Sequence, residues 1–206
     1  MCQHDGGHHC QHHEQQRQSS AGPTRRAVLA TGAAVAATGI AGCLGGSGDG
    51  ETPAAVAIGD QDACDVCGMV ISKHPGPNGQ VFWKGEDPEG HDSPFRFDSL
   101  KQCLFPHRFE KTDLDWAAAA TYVTDYSAVE YTVSQSEGSP YISSHTEPGS
   151  FGAAEDMYYV VESDVQGAMG PDFVPFSDQD DADAFADEYG GSVVAFDDIS
   201  PALVGK

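Results

Sequence analysis

The feature that most constrains this chain is an order of elements that occurs twice. "GQVFWKG" (Gly79–Gly85) reads as a short strand. "SPFRFDS" (Ser93–Ser99) alternates apolar and polar residues and reads as a second. A helix is expected next: Ser99 is a good N-cap, and Leu100, Cys103 and Leu104 recur at helical spacing. Pro106 is expected to end or kink that helix. "AATYVTDYS" (Ala119–Ser127) is a third strand. The same order then returns. "DMYYVVESD" (Asp156–Asp164) is rich in strand formers, and "DFVPFSD" (Asp172–Asp178) repeats the paired phenylalanines and the Ser/Asp close. "DQDDADAFADEYGG" places acids in its first turn and glycines at its end, as a helix dipole favours, and "SVVAFDDI" (Ser192–Ile199) is a final strand. The chain therefore predicts an α+β fold of two similar ββαβ lobes forming one compact unit, with lobes near 62–130 and 150–200. "SQSEGSPYISSHTEPGSFGAAE" (Ser134–Glu155), between them, fits no element type.

The first part of the chain belongs to no fold. "TRRAVLATGAAVAATGIAGCLG" (Thr24–Gly45) begins with the pair Arg25 and Arg26 and continues into an apolar run from Ala27 to Ile40. That run is shorter than the about 20 residues a membrane span needs, but it suits the apolar region of a signal peptide. Small residues lead to Cys43, so residues 1–42 read as a leader plus twin-arginine lipoprotein signal, with Cys43 as the lipid attachment point. The mature protein is then expected on the cell membrane, lipid-anchored and facing outside the cytoplasm. Residues 43–61 read as the lipidated cysteine and a flexible, disordered Gly-rich tether ahead of a folded domain at 62–206. The leader holds His4, His8, His9, His12 and His13 with Cys2 and Cys10, a metal-like composition that cleavage before Cys43 removes from the mature protein.

Charge excludes one class of partner. Asp and Glu number 32 against 10 Lys and Arg, a formal net charge of -22, so phosphate is repelled and no nucleic acid is expected as a ligand. So acidic a surface also suits a salt-loving cell, where charge repulsion is screened within about 3 Å at molar ionic strength.

With Cys43 lipidated, the sulfur chemistry of the folded part falls to Cys64, Cys67 and Cys103 and a few methionines. "DACDVCGMVI" (Asp62–Ile71) carries a C-x-x-C. A zinc site needs about four ligands, and an iron–sulfur cluster about four cysteines. A redox dithiol commonly opens a helix, whereas here glycine and β-branched residues follow Cys67. Cu(I) accepts a smaller set of soft donors. Gly68 between Cys67 and Met69 frees the backbone to bring both sulfurs to one side. Met169, in the glycine-rich "VQGAMGPDF", is a further candidate, with Cys64 beside them. Met157 and Cys103 read as core, His74 as a possible imidazole donor, His91, His107 and His145 as surface, and Trp83 and Trp116 as core or interface. Metal binding by thiols displaces protons, so affinity is expected to rise with pH. A cell-surface dithiol–disulfide oxidoreductase using the C-x-x-C is the alternative. No catalytic triad, phosphate loop or assignable carboxylate pair is present in the sequence, and a non-enzymatic role is expected.

"CDVCGMVISKHPGPNGQVF" (Cys64–Phe82), "PFRFDSLKQCLF" (Pro94–Phe105), "AMGPDFVPFSD" (Ala168–Asp178) and "AFADEYGGSVVAFDDI" (Ala184–Ile199) together resemble the NosL family, lipoproteins of nitrous oxide reductase gene clusters. The resemblance implies a fold of two ββαβ lobes and a Cu(I) chaperone. Such a protein would deliver copper for assembly of the reductase's copper centre, working with the reductase and its maturation and copper-transport proteins. It implies Cys67 and Met69 as ligands, then Met169, with Cys64 the most variable, in a monomer or a metal-bridged dimer.

Overall fold

Each half of the repeat builds one antiparallel sheet with one helix. The computed structural model describes residues 52–136 and 138–206. The first half contains β1 (Gly79–Trp83), β2 (Phe95–Phe97), a π-helical turn over Leu100–Leu104 that runs into α1 (Phe105–Asp113), and β3 (Ala118–Thr124). Next come β4 (Val133–Ser136), β5 (Ser139–Ile142) and β6 (Phe151–Ala153). The second half contains β7 (Tyr158–Val161), β8 (Gln166–Gly167), β9 (Gly170–Pro171), β10 (Val174–Phe176), α2 (Gln179–Tyr189) and β11 (Ser192–Ala195). The sheets run β2-β1-β3-β6 and β10-β7-β11. In both, the first strand of the ββαβ unit is central and its two followers flank it, which is the repeat expected from the sequence. The segment without a predicted type forms the β4–β5 hairpin, which continues into β8 and β9, and also β6, which extends the first sheet.

β7 explains how the two lobes become one body. Its run YYVV is apolar throughout, as befits a central strand covered on both faces. Tyr159 and Val161 point into a core shared with Val81, Phe97, Leu100, Leu104 and Phe105 of the first lobe. Val160 points the other way, to Tyr126, Ile142, Phe176 and Phe185. Phe105 is the hinge of the shared core: its ring lies 5.7 Å from Tyr159, 5.8 Å from Phe173 and 5.9 Å from Phe196.

Three expectations change. Pro106 does not end the helix; it lies in the first turn of α1, where the π-helical turn passes into it. The folded body begins before residue 62. Tyr122 donates to the Pro53 carbonyl at 2.8 Å, the Gln80 amide pairs with both backbone groups of Val56, and Ile58 is buried. The surface position expected for His107 gives way to an aromatic pocket with ring centroids 5.1 Å from Phe97 and 5.2 Å from Phe95. Burial there pushes the imidazole down to about 4. Trp83 and Met157 are buried as expected. Among the described residues no helix is long and apolar enough to cross a membrane.

Candidate metal centre

The loop from Asp62 to Ile71 closes on itself. Cys64 N–H donates to the Met69 carbonyl at 2.8 Å, Gly68 N–H to the Cys64 carbonyl at 2.9 Å, and Ile71 N–H to the Asp62 carbonyl at 2.9 Å. Gly68 has φ +76°, a left-handed conformation that glycine adopts without strain, and this turn curls Cys67 back over Cys64. Asp65 fastens the loop to the first sheet. Its N–H donates to the Arg96 carbonyl at 2.9 Å, and its carboxylate accepts from Arg96 N–H at 2.6 Å and contacts His91 Nε2 at 2.9 Å.

The other side of the site is the start of the first-lobe helix. A helix leaves its first N–H groups without backbone acceptors. Here Ser99 Oγ accepts from Gln102 N–H at 3.1 Å. Asp172, from the second lobe, accepts from Leu100 N–H at 3.3 Å and Lys101 N–H at 2.7 Å. With capping done by these two, the neighbouring Asp98 is free to turn its carboxylate towards sulfur. π-helical turns are rare and concentrate at functional sites; this one carries Cys103 on its inner side, its Sγ 3.5 Å from Asp98 Oδ1.

Cys64, Cys67, Asp98 and Cys103 thereby bring three thiol sulfurs and a carboxylate oxygen to within 4.8 Å of one another. Cys67 Sγ lies 3.3 and 3.4 Å from the two Asp98 oxygens. Met169 enters from the tight β8–β9 turn, its Sδ 3.5 Å from Cys103 Sγ. That turn is pinned to the helix by Gln102, whose Nε2 donates to the Pro171 carbonyl at 2.9 Å. It also packs closely against the loop after the cysteines: a side chain at Gly76 would meet the Gly167 backbone. Met69 is half-buried at the end of the cysteine loop, and its carbonyl closes that loop. His74 stands outside the thiol–carboxylate group. Cys43, Arg25 and Arg26 lie outside the described residues.

Electrostatics separate the three thiols. A hydrogen bond with Cys103 draws the Cys64 thiol down to about 7 against the opposing effect of burial. The same hydrogen bond, reinforced by burial, holds the Cys103 thiol well above its ordinary value. Burial pushes the Cys67 thiol up to about 11. The set is soft-donor rich, free of disulfides and largely shielded, with Cys67 partly accessible. Val66, beside Cys67 in the chain, and Met169, whose sulfur touches Cys103, are 50% and 41% exposed. A thiophilic ion fits such a donor set better than a hard cation does.

Sequence reasoning missed Asp98 and gave Cys103 to the core alone. Cys103 is fully buried, so that reading describes its environment, but its sulfur faces the cluster. The signal available for Asp98 was the "FDS" order itself, an acid directly before a helix cap.

The NosL family description matches residues 55–204. A copper-binding lipoprotein NosL from Stutzerimonas stutzeri is 30% identical over 149 residues, 72% of this chain and 67% of that protein. One of the same name from Achromobacter cycloclastes is 33% identical over 139 residues, 67% of this chain and 63% of that protein. The matched region thus spans about two thirds of the length of these relatives. Among solved structures, the crystal structure of the copper chaperone NosL from Shewanella denitrificans superposes with a TM-score of 0.59 at 29% identity, covering 74% of this chain and 99% of that one.

Proposed function

We propose, from the premise that this chain belongs to the NosL family, that it carries Cu(I) outside the cytoplasm and delivers it for assembly of the copper centre of nitrous oxide reductase. The observation that carries this reading is the gathering of the Cys64, Cys67 and Cys103 sulfurs around Asp98, with the Met169 sulfur against Cys103. Thiolate and thioether are polarisable donors that select Cu(I). Cys67, Met69 and Met169 are the ligands proposed, with Cys64 alongside them. Cys103 and Asp98 complete the pocket, and the carboxylate is placed to accept from the Cys67 and Cys103 thiols.

The role is carriage rather than catalysis. A copper carrier holds its ion by few ligands and passes it on one ligand at a time. Partial exposure of Cys67 and Met169 suits such an exchange. The partners proposed are the reductase and its maturation and copper-transport proteins. Cys43 would hold the protein to the membrane by lipid, after export directed by Arg25 and Arg26.

The test is a Cu(I) titration of the reduced protein against a chromophoric Cu(I) chelator. Binding is expected to weaken by more than about 100-fold in Cys67→Ser, beyond what loss of a group outside the ligand set costs, and to weaken in Met69→Ala and Met169→Ala. Unchanged affinity in Cys67→Ser overturns the reading. Copper transfer to the apo reductase, followed by its visible absorption, tests the delivery step.

A further inference from the structure

We infer that the copper site can close itself by an internal disulfide, with Cys67 as the thiol that meets an oxidant from solution and Cys64 as the thiol that resolves it. This rests on the copper-carrying reading above and concerns the regulation of the same site.

Accessibility and proximity assign the roles. Cys64 and Cys103 are buried, whereas Cys67 is only half-buried, so a molecule in solution reaches Cys67 first. The Cys64 sulfur lies within 4.8 Å of both other thiol sulfurs. Cys64 and Cys67 also share one tight loop. The Gly68 N–H to Cys64 carbonyl bond at 2.9 Å and the positive φ of Gly68 already hold the two residues together. Cys103 instead belongs to the helix start and is held by Asp98 and Met169, each at 3.5 Å. A bond between Cys64 and Cys67 asks only the small loop to adjust. A bond from Cys67 to Cys103 draws the helix start as well, and that element is clamped by Asp172.

The chemistry is two thiol–disulfide exchanges with a small soluble disulfide, RSSR. The Cys67 thiolate attacks one sulfur of RSSR, forming a Cys67–SR mixed disulfide and releasing RS⁻. The Cys64 thiolate then attacks Cys67 Sγ, forming the Cys64–Cys67 bond and releasing a second RS⁻. Two electrons pass from the two cysteines to RSSR, and the two protons they lose end on the two RSH formed. The product lacks free thiols at both C-x-x-C positions and so lacks the main soft donors for Cu(I). Because Cys67 is partly shielded and faces a carboxylate, the first exchange is slow, so closure overtakes only a site left without copper. Bound copper occupies the same sulfurs and prevents it.

The experiment treats the reduced full chain with glutathione disulfide under anaerobic conditions, with and without prior Cu(I) loading. Alkylation and peptide mass mapping locate the links, and chelator competition reads Cu(I) affinity before and after. The expected result is a Cys64–Cys67 link, Cys103 still a thiol, and Cu(I) affinity lowered by more than about 100-fold and restored by dithiothreitol. Prior loading suppresses the link. Cys64→Ser accumulates a glutathione adduct on Cys67, and Cys103→Ser still forms the Cys64–Cys67 link. A link that uses Cys103, no link at all, or a link that leaves Cu(I) affinity unchanged overturns the inference. If the reduced protein binds no Cu(I), the functional proposal fails; if it binds Cu(I) and never closes, only this inference fails.

Discussion

The two lobes share a strand order and differ at the start of their helices. After Phe97 the first lobe reads Asp98-Ser99; after Phe176 the second reads Ser177-Asp178. In the second lobe the acid is the cap: Asp178 accepts from Asp180 N–H at 2.8 Å, and α2 begins as an ordinary helix. In the first lobe the serine is the cap, so the acid one position earlier is spared for the thiols. The first-lobe helix also borrows Asp172 from the second lobe to satisfy its first N–H groups, whereas the second-lobe helix caps itself. One scaffold thus gives a lobe that holds the thiol–carboxylate cluster and a lobe that adds the Met169 sulfur and the Asp172 cap to it. The exchange of two neighbouring polar residues, together with the cysteine loop placed ahead of β1, distinguishes them.

That comparison can be broken at several points. The largest effect is expected where the lobes meet. Phe105→Ala removes the ring that touches Tyr159, Phe173 and Phe196. It should cost about 3–5 kcal/mol of stability, read from chemical denaturation. A small loss would mean that the lobes are held together elsewhere.

Next comes the paired exchange of the two acids. Asp98→Asn should lower Cu(I) affinity by about 10–100-fold, as loss of a charged partner of metal ligands does. Asp178→Ala should lower stability by about 1 kcal/mol, as loss of a helix cap does, and leave Cu(I) affinity where it was. If the two variants behave alike, the division between binding acid and capping acid is wrong.

The smallest effect concerns pH. The imidazole of His107 is held down to about 4 by burial, below its ordinary value of 6.5. Its contribution to stability is therefore fully present above pH 6.5 and is lost as pH falls towards 4, because the unfolded chain binds the proton more tightly. Asp172 acts in the opposite sense. Burial raises it to about 7 from 3.8, so its contribution is present below 3.8 and lost as pH rises through 7. Denaturation midpoints of wild type and His107→Gln should accordingly converge as pH falls from 6.5 to 4. Parallel curves would place His107 in water and remove this acid-sensitive element from the first lobe.

Much of the fold was legible because strand alternation, caps and helical spacing are local signals. They gave both ββαβ units and placed Met157 and Trp83 inside. Pro106 was misread because a proline in a first helical turn looks the same in sequence as one that stops a helix; the preceding π-helical turn decides between them. His107 was misread because one polar residue on a helix gives no sign of the three aromatic rings, Trp83, Phe95 and Phe97, that close over it. The anchoring of Pro53–Ile58 was invisible because it depends on Gln80 and Tyr122, far along the chain.

By itself the sequence determined the soft-donor chemistry, since the C-x-x-C-G-M run brings sulfur and a permissive glycine together within a few residues. It also determined the doubled strand order, since both copies are written in full. Only the tertiary structure decided which sulfurs meet. Cys103 and Met169 are 66 positions apart, and their contact exists because Asp172 and Gln102 tie the second-lobe turn to the first-lobe helix. The physical reason is that buried N–H groups at a helix start must find acceptors, and here two of them find a carboxylate of the other lobe.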